Sequence, residues 1–403
     1  MAKVRSSFSP IILASLVLVI GVGAYILYLD RTEKASPSPV LTTATPTVST
    51  STSPIATVTK PTLFLSRDGG DAVISELSST GGKTEVFRYT LDPRDQPEAT
   101  ISDDSTKIVY ADGNGNVNLY TVSTKKTTVL KSVVKPTNDS SSDGISFGNP
   151  VISPDGKYVV MAEYGWENAS EAFASTDGSV SQNGIADCWA GDVAWASDSS
   201  HFAIAAPNEA IGATSCLYVA TPQDPSKGKD YLPKDTQGNT KDAFTPSWSP
   251  DNSKIAFAYG YLGTDNSTQA SSDANNQHRG IYVVNADGTG FTEVSANQSY
   301  STAPIWKDNA TIIYGLSNLY SMQEKGVYSI NVNGTANKQL YSNELANYTP
   351  QHVLSDGKTL LFTADSDGVK GTDSGAPYTT KTLLLDLDSS KVTTVQSLDT
   401  TIP

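Results

Sequence analysis

The sequence predicts an all-β protein, a β-propeller of about seven four-stranded blades, preceded by one transmembrane helix and a disordered stalk. Three observations lead to this prediction. An apolar run occupies residues 11–29, a Thr/Ser/Pro-rich segment follows to residue 60, and an Asp-centred turn motif then recurs every 43 to 57 residues. Charged residues make up only 17% of the chain, against ~25% in an average globular protein, which favours a β-rich surface over amphipathic helices.

The net charge excludes one class of partner. The chain has 28 Lys and Arg against 42 Asp and Glu, a net charge of −14. Residues 1–60 contribute +3, so the remainder carries −17. A surface of this sign cannot neutralise phosphates and release their counterions, and we expect no nucleic-acid partner.

The apolar run at residues 11–29 predicts a membrane anchor. Its 19 residues, at 1.5 Å each, can cross a hydrocarbon core of ~30 Å. A cleaved signal peptide is the alternative, because Lys3 and Arg5 form a basic start and small residues occupy 22–24. The run continues well past that site, which favours a retained signal anchor behind a short cytoplasmic N-terminus at 1–10.

Residues 30–60 predict a linker that does not fold by itself. From residue 35 onward they are almost entirely Ser, Thr, Pro, Ala and Val, with no aromatic side chain to bury. The predicted arrangement is therefore a single-pass protein of the cell membrane. The propeller at 61–398 would lie outside the cytoplasm, in the periplasm or at the cell surface.

Six segments of the remaining chain share one design, in which an apolar strand end, a polar turn and a second apolar strand follow one another. The acidic residues at the turns are Asp104, Asp155, Asp198, Asp251, Asp308 and Asp356. In the Ser-Pro-Asp-Gly form, proline presets φ, the Asp side chain accepts backbone N–H bonds, and glycine supplies a positive φ. Each turn therefore predicts a tight hairpin between two strands.

A second strand pair follows each hairpin, as in residues 279–294 (RGIYVVNADGTGFTEV). The unit is thus a four-stranded meander of about fifty residues that cannot cover its own faces. Radial stacking into a propeller buries those faces and leaves only short edges. Residues 61–97 resemble a further, degenerate blade with two strands, and 55–59 would supply its innermost strand. Seven blades result, with six or eight as alternatives.

The repeat resembles that of a known family. The Trp-Ser-Pro-Asp hairpin at 248–251, followed by the strand pair at 279–294, is similar to the TolB-type repeat, a relative of the WD repeat. Such repeats also form the propellers of prolyl-oligopeptidase-like peptidases. The resemblance extends from residue 98 to about 396 and implies a propeller that acts as a binding scaffold. The repeat residues themselves make turns and blade cores, so they do not specify a function.

The long connections are all predicted on one face of the ring. The turns between strands one and two are short, whereas the connections between strands two and three are long, at 165–184, 260–280, 316–326 and 365–378. The blade-to-blade connections at 133–149 and 231–244 open on the same side. Loops on a rigid scaffold commonly bind ligands, and aromatic and acidic side chains suit a protein, peptide or glycan. The candidate binding residues are Phe147, Tyr164, Trp166, Tyr261, Asp265, Tyr320 and Tyr378. The alternative is that these aromatics only pack their own loops.

No catalytic, metal-binding or cofactor-binding constellation is predicted. Residues 144–148 match the G-x-S-x-G string, but no strand precedes them and no helix follows. The three histidines are isolated, and the Asp-Gly-Asn-Gly-Asn segment at 112–116 lacks the glycine and glutamate that a calcium loop requires. No segment after the propeller is long enough for a hydrolase domain. We therefore expect no catalytic residue, metal or cofactor, and a chain that is not an enzyme.

The only two cysteines, Cys188 and Cys216, are a candidate disulfide outside the cytoplasm, and two free thiols are the alternative. The predicted function is a membrane-anchored extracytoplasmic scaffold that binds an envelope protein, peptide or glycan through its long loops. One alternative is a propeller-type glycan lyase or hydrolase with carboxylates at the funnel mouth. Another is a structural surface repeat protein.

Overall fold

The computed structural model describes residues 62–77, 82–91, 98–135, 144–165, 168–207, 215–236, 238, 240–260, 279–295, 301–316, 325–343, 347–354, 356–365 and 380–398. Within these ranges the chain forms 27 strands. No helix in them has the length and apolar character needed to cross a membrane. The predicted N-terminus at 1–10, anchor at 11–29 and linker at 30–60 lie outside the described residues.

The strands follow one another through the whole described chain. The first fifteen are β1 (Thr62–Asp68), β2 (Asp71–Leu77), β3 (Lys83–Thr90), β4 (Ala99–Ile101), β5 (Lys107–Ala111), β6 (Val117–Thr121), β7 (Lys126–Lys131), β8 (Ser146–Ile152), β9 (Tyr158–Tyr164), β10 (Ala169–Ser175), β11 (Ser181–Gln182), β12 (Asp192–Trp195), β13 (Phe202–Ala206), β14 (Cys216–Thr221) and β15 (Asp224–Asp230). The others are β16 (Asp242–Trp248), β17 (Lys254–Gly260), β18 (Arg279–Asn285), β19 (Thr292–Glu293), β20 (Ser301–Trp306), β21 (Thr311–Leu316), β22 (Gly326–Asn331), β23 (Lys338–Tyr341), β24 (Asn347–Val353), β25 (Thr359–Asp365), β26 (Thr380–Asp386) and β27 (Val392–Leu398).

These strands form seven antiparallel sheets, which are the blades of a propeller. Blade 1 contains β1 to β3, and blades 2 to 7 each contain four consecutive strands, from β4–β7 to β24–β27. Strand order in every blade follows chain order, as a meander requires. The predicted all-β seven-bladed propeller is therefore confirmed. Blade 1 has three described strands instead of the two recognised in the sequence, and residues 55–59 lie outside the described part of the chain.

Apolar side chains fill the spaces between the blades. One cluster joins Ala72 and Tyr89 of blade 1 to Tyr110 of blade 2, and similar clusters join each later pair up to blades 6 and 7. Blades 2 to 6 are thus covered on both of the faces that a single sheet leaves exposed, which is the physical reason for radial stacking.

Three tryptophans at equivalent positions tie neighbouring inner strands together. Trp195 ends β12, and its indole Nε1–H donates to the carbonyl of Val151 at 3.1 Å. Trp248 and Trp306, at the ends of β16 and β20, donate in the same way to the preceding blade, at 3.1 and 2.9 Å. The rings fill the inter-blade space while their only polar atom is satisfied, which is the usual condition for burying tryptophan.

The six Asp-centred hairpins are confirmed. In each one the Asp side chain accepts the backbone N–H two residues downstream, from Thr106, Lys157, Ser200, Ser253, Ala310 and Lys358. Hydroxyl bonds from Ser249 and Ser253 hold the pKa of the Asp251 carboxyl below its ordinary value. Gly156, with φ of 70°, occupies the left-handed position that the turn requires.

These hairpins lie on one face of the ring, which we call the turn face. Asp103 donates its backbone N–H to Pro154 in the next blade, and Asp155 donates to the hydroxyl of Ser199 one blade further on. The backbone N–H of Asp251 donates to the Asn309 side chain at 3.1 Å in the same manner. The turns therefore contact one another around the ring, as equivalent parts should.

The connections between second and third strands lie on the opposite face, which we call the loop face. Most of the predicted long loops fall outside the described residues. The segment 165–184 is an exception and corrects the sequence analysis, because it contains β10 and β11 instead of one loop. Blade 3 accordingly has only residues 165–168 between its second and third strands.

Candidate functional site: the channel mouth

A cavity of about 550 Å³ lies at the loop-face end of the ring. We call it the mouth cavity. Its wall includes the beginnings of β4, β12 and part of β8, together with Leu65 of β1 and Phe244 of β16. Each inner strand ends at a hairpin of the turn face, so residues near its start belong to the loop face. The mouth cavity is therefore the entrance to the propeller axis from the loop face.

Two carboxylates in this wall are each held by the next blade. Glu98 Oε2 accepts the N–H of Asn149 at 2.5 Å, and Asp192 Oδ2 accepts the N–H of Thr245 at 2.9 Å. Both donors sit at β-bulges, with φ of 46° and 45°, and a proline follows each of them. A bulge removes a backbone group from the ladder, which frees it to bond a side chain. The same device thus fixes both carboxylates.

Tyr164 closes one side of the mouth cavity. It ends β9, its side chain is 38% exposed, and its hydroxyl accepts a hydrogen bond of 2.7 Å from the Asn149 amide. A Cβ at Gly148 would lie 3.1 Å from the ring and 2.9 Å from Glu98 Oε2. Glycine at this position allows the tyrosine and the carboxylate to approach the backbone closely.

Trp189 and Phe244 are the other aromatic residues of the wall. Trp189 lies in the connection between blades 3 and 4, next to Cys188. Cys188 forms a disulfide with Cys216 at the start of β14, with Cα atoms 6.0 Å apart. This bridge attaches the wall segment around Trp189 to blade 4.

A buried glutamate stands behind the same wall. Glu171, on β10, is 0% exposed, and its Oε1 accepts the N–H of Gly191 at 2.9 Å. Its Oε2 has no hydrogen-bond partner within the described residues. A Cβ at Gly191 would lie 2.2 Å from the carbonyl oxygen of Ala205, so only glycine fits between β10 and β13.

Burial is the main cause that raises the pKa values of the acidic groups around this cavity. Burial raises the pKa of Glu171 to about 8, and the charge of Asp192 adds to the effect. Desolvation also raises the pKa of Asp192, despite its exposed edge in the cavity and its bond from Thr245. The pKa of Tyr164 is raised by burial first, then by the charges of Glu98 and Glu171. Because Glu98 and Asp192 line the mouth cavity and no Lys, Arg or His among the described residues does, the cavity carries negative charge.

A second cavity, of about 660 Å³, continues along the axis towards the turn face. Asp192 and Val193 border both cavities. The lining of the second cavity includes the three inter-blade tryptophans, five prolines, and polar residues such as Asp103 and His352. Its wall is as polar as that of the mouth cavity.

The structure separates the predicted binding residues. Tyr164 lies at the mouth cavity, as described above. Phe147 is a correction: it is 4% exposed and packs in the core between blades 2 and 3, under the ammonium of Lys131, so it presents no surface to a ligand. The remaining five candidates, Trp166, Tyr261, Asp265, Tyr320 and Tyr378, lie outside the described residues.

Other sequence candidates are structural. Ser146 of the G-x-S-x-G string is the first residue of strand β8, where a nucleophile elbow would need a helix. Asp112 accepts the backbone N–H groups of Asn114 and Asn116, which makes the expected turn. Among the described residues no three His, Cys, Asp or Glu side chains are arranged to hold a metal ion. His201 contacts Ser200 and the ring of Trp248.

Glu98, Asp192, Trp189 and Phe244 were not among the residues predicted from the sequence. One signal in the sequence could have located Asn149 and Thr245, the backbone donors that hold Glu98 and Asp192. An X-Pro pair recurs in the inner strands of blades 3, 5, 6 and 7, and a bulge accompanies each pair. A regularly repeated proline within a strand indicates a bulge, and a bulge provides backbone groups for a ligand or a side chain.

Seven blades, with an Asp-centred turn in six of them, define a β-propeller whose repeat resembles the TolB type. No protein-family model matches the sequence, and no curated protein matches it. Several solved structures share the fold at low identity. A puromycin hydrolase mutant complexed with PGG has 12% identity and a TM-score of 0.56, over 86% of this chain and 54% of the hydrolase.

Two further structures complete the comparison. The oligogalacturonate lyase of Vibrio parahaemolyticus has 15% identity and a TM-score of 0.53, over 77% of this chain and 84% of the lyase. A putative TolB from Agrobacterium tumefaciens has 16% identity and a TM-score of 0.43, over 70% of this chain and 88% of its own. The expectation that the chain is not an enzyme was wrong, because this architecture also occurs in a lyase and a hydrolase. The fold does not exclude catalysis.

Proposed function

We propose that the protein is a membrane-anchored, extracytoplasmic propeller that binds an envelope protein, peptide or glycan through its loop face. The observation that carries this proposal is the mouth cavity itself. It brings an exposed tyrosine, a tryptophan and two carboxylates together at one opening of the propeller. Cavities of this size with a few converging polar groups are the usual form of a binding site.

Two features support the location outside the cytoplasm. The Cys188–Cys216 disulfide is stable in oxidising compartments and rare in the cytosol. The apolar residues 11–29 and the Thr/Ser/Pro-rich residues 30–60 would provide an anchor and a spacer, with the membrane as the first partner.

Site-specific photo-crosslinking in the full chain tests this function. A benzoylphenylalanine replaces Tyr164 at the mouth, and in a matched protein it replaces Asp388, an exposed residue of the turn face. We expect irradiation in the native envelope to give a partner adduct from the mouth position and none from the turn face. Adducts that arise only from the Asp388 position would contradict the proposal.

A glycan lyase or hydrolase is the second candidate, and one observation favours it. Glu98 and Asp192 face the same cavity, and a pair of carboxyl groups supplies the acid and base in most glycan-cleaving enzymes. Incubation of the full chain with acidic and neutral oligosaccharides, followed by product analysis, tests this activity. If the protein is such an enzyme, the wild type should cleave an oligosaccharide, the Asp192→Asn variant should not, and the Asp388→Asn variant should cleave it as the wild type does.

A further inference from the structure

The mouth cavity combines negative charge with aromatic walls. Glu98 and Asp192 contribute carboxylates, and Tyr164, Trp189 and Phe244 contribute rings. No Lys, Arg or His is among the described residues that line it. The ring of Phe244 already makes a cation–π contact within the protein, because the Arg279 guanidinium lies 4.9 Å from its centroid.

The negative charge at this site is only partly compensated within the described residues. Asp192 accepts one backbone N–H, from Thr245, and desolvation still raises its pKa. Glu171, buried behind the wall, keeps its proton at neutral pH and adds no charge, so the negative charge of the mouth cavity comes from Glu98 and Asp192. The Asp192 side chain accepts no other hydrogen bond from the described residues, so its carboxylate can accept a positively charged donor from the cavity.

We propose that the mouth cavity binds an organic cation, a primary ammonium or guanidinium group, carried by a lysine or arginine of the partner segment. This inference rests on the proposed binding function and specifies its ligand chemistry. Charge-assisted hydrogen bonds to Asp192 would hold the donor groups, and the aromatic faces would attract the positive charge.

Other ligand classes fit the wall less well. An anion would meet the carboxylates with no lining cation to offset them. A divalent metal needs several converging oxygen or nitrogen ligands, and no such group of three acidic, His or Cys side chains exists among the described residues. An alkylammonium or guanidinium group uses both the charge and the aromatic surface.

Calorimetric titration of the detergent-solubilised full chain tests the inference. The probes are capped pentapeptides, Gly-Gly-Arg-Gly-Gly and the same peptide with uncharged citrulline, together with n-butylammonium as a free amine. We expect the arginine peptide to bind at least about tenfold more tightly than the citrulline peptide, because the charge-assisted bond is lost. Butylammonium should compete with the arginine peptide.

Matched variants locate the effect. Asp192→Asn keeps the shape of the side chain and an acceptor for the Thr245 N–H but removes the charge. It should lower the affinity for the arginine peptide by about tenfold. Asp388→Asn removes the same charge from the turn face and should leave affinity unchanged. Equal affinity for arginine and citrulline peptides, or an unchanged affinity in Asp192→Asn, would overturn the inference. The wild-type comparison holds even if a variant fails to fold.

The two proposals can fail separately. If a partner crosslinks at position 164 and saturating butylammonium does not reduce the adduct, the scaffold function stands and the cation site is wrong. If the arginine peptide binds selectively and no partner crosslinks at the mouth, the cation site stands and the scaffold function is wrong.

Discussion

Replacement of Glu171 by glutamine should remove a pH dependence from the stability of the propeller. In the folded protein the carboxyl is fully buried, with one hydrogen bond from Gly191 and one oxygen that has no described partner. Its pKa is about 8, against an ordinary value of 4.5 in the unfolded chain. The folded state therefore keeps a proton that the unfolded state releases.

The sign and size of the effect follow from this difference in pKa. Between pH 4.5 and pH 8 the unfolded chain binds fewer protons, so the free energy of unfolding falls as pH rises. The stability is complete below pH 4.5 and is lost by pH 8. At 1.36 kcal/mol per pKa unit, the loss is at most about 5 kcal/mol. Glu171→Gln keeps the shape and cannot ionise, so it should not lose this stability.

Urea unfolding at pH 5 and pH 8.5 measures the effect for wild type, Glu171→Gln and Glu76→Gln, an exposed carboxyl on β2. We expect the free energy of unfolding of wild type and of the Glu76 variant to fall by the same amount between pH 5 and pH 8.5. Glu171→Gln should weaken several kcal/mol less between the two pH values. Parallel curves for wild type and Glu171→Gln would refute the argument that this carboxyl is buried and protonated.

Three further predictions concern the frame around the mouth. Replacing both Cys188 and Cys216 by serine removes the disulfide that joins residues 28 positions apart, and should lower the free energy of unfolding in urea by about 3–4 kcal/mol. Equal unfolding midpoints for the oxidised wild type and the variant would contradict this prediction. Trp248→Phe removes the bond to the preceding blade and some packing, and should lower stability by about 1–2 kcal/mol; an unchanged melting temperature would show that the bond has little net value. Gly191→Ala places a methyl group 2.2 Å from the Ala205 carbonyl and should cost about 1–3 kcal/mol, whereas a neutral result in thermal melting would mean that the two strands separate easily.

The parts of the fold that depend on local turn chemistry could be predicted from the sequence. An Asp in a short polar segment between two apolar strands bonds its own backbone, whatever the rest of the chain does, so Asp155 and Asp251 identify their hairpins unaided. The repetition of that hairpin then determines the architecture, because four-stranded sheets must cover one another. The pairing of Cys188 with Cys216 could be predicted because they are the only two cysteines and the propeller was expected outside the cytoplasm.

The mouth cavity could not be predicted in the same way, because distant parts of the chain form it. Glu98 meets Asn149 only after two blades have stacked. The segment 169–175 (ASEAFAS) resembled a loop because a charged residue stands among small ones, and nothing local indicates that Glu171 is buried. Phe147 appeared to belong to a loop, although β8 begins one residue earlier and carries it into the core.

Hydrogen–deuterium exchange of the full chain, with and without its captured envelope partner, tests most directly whether the loop face binds. The account predicts slower exchange at the mouth, in residues 98–101, 146–150, 189–193 and 242–245, and no change in the Asp-centred turns. Protection confined to the turns at 103–106, 154–157 and 250–253, with the mouth unchanged, would contradict it.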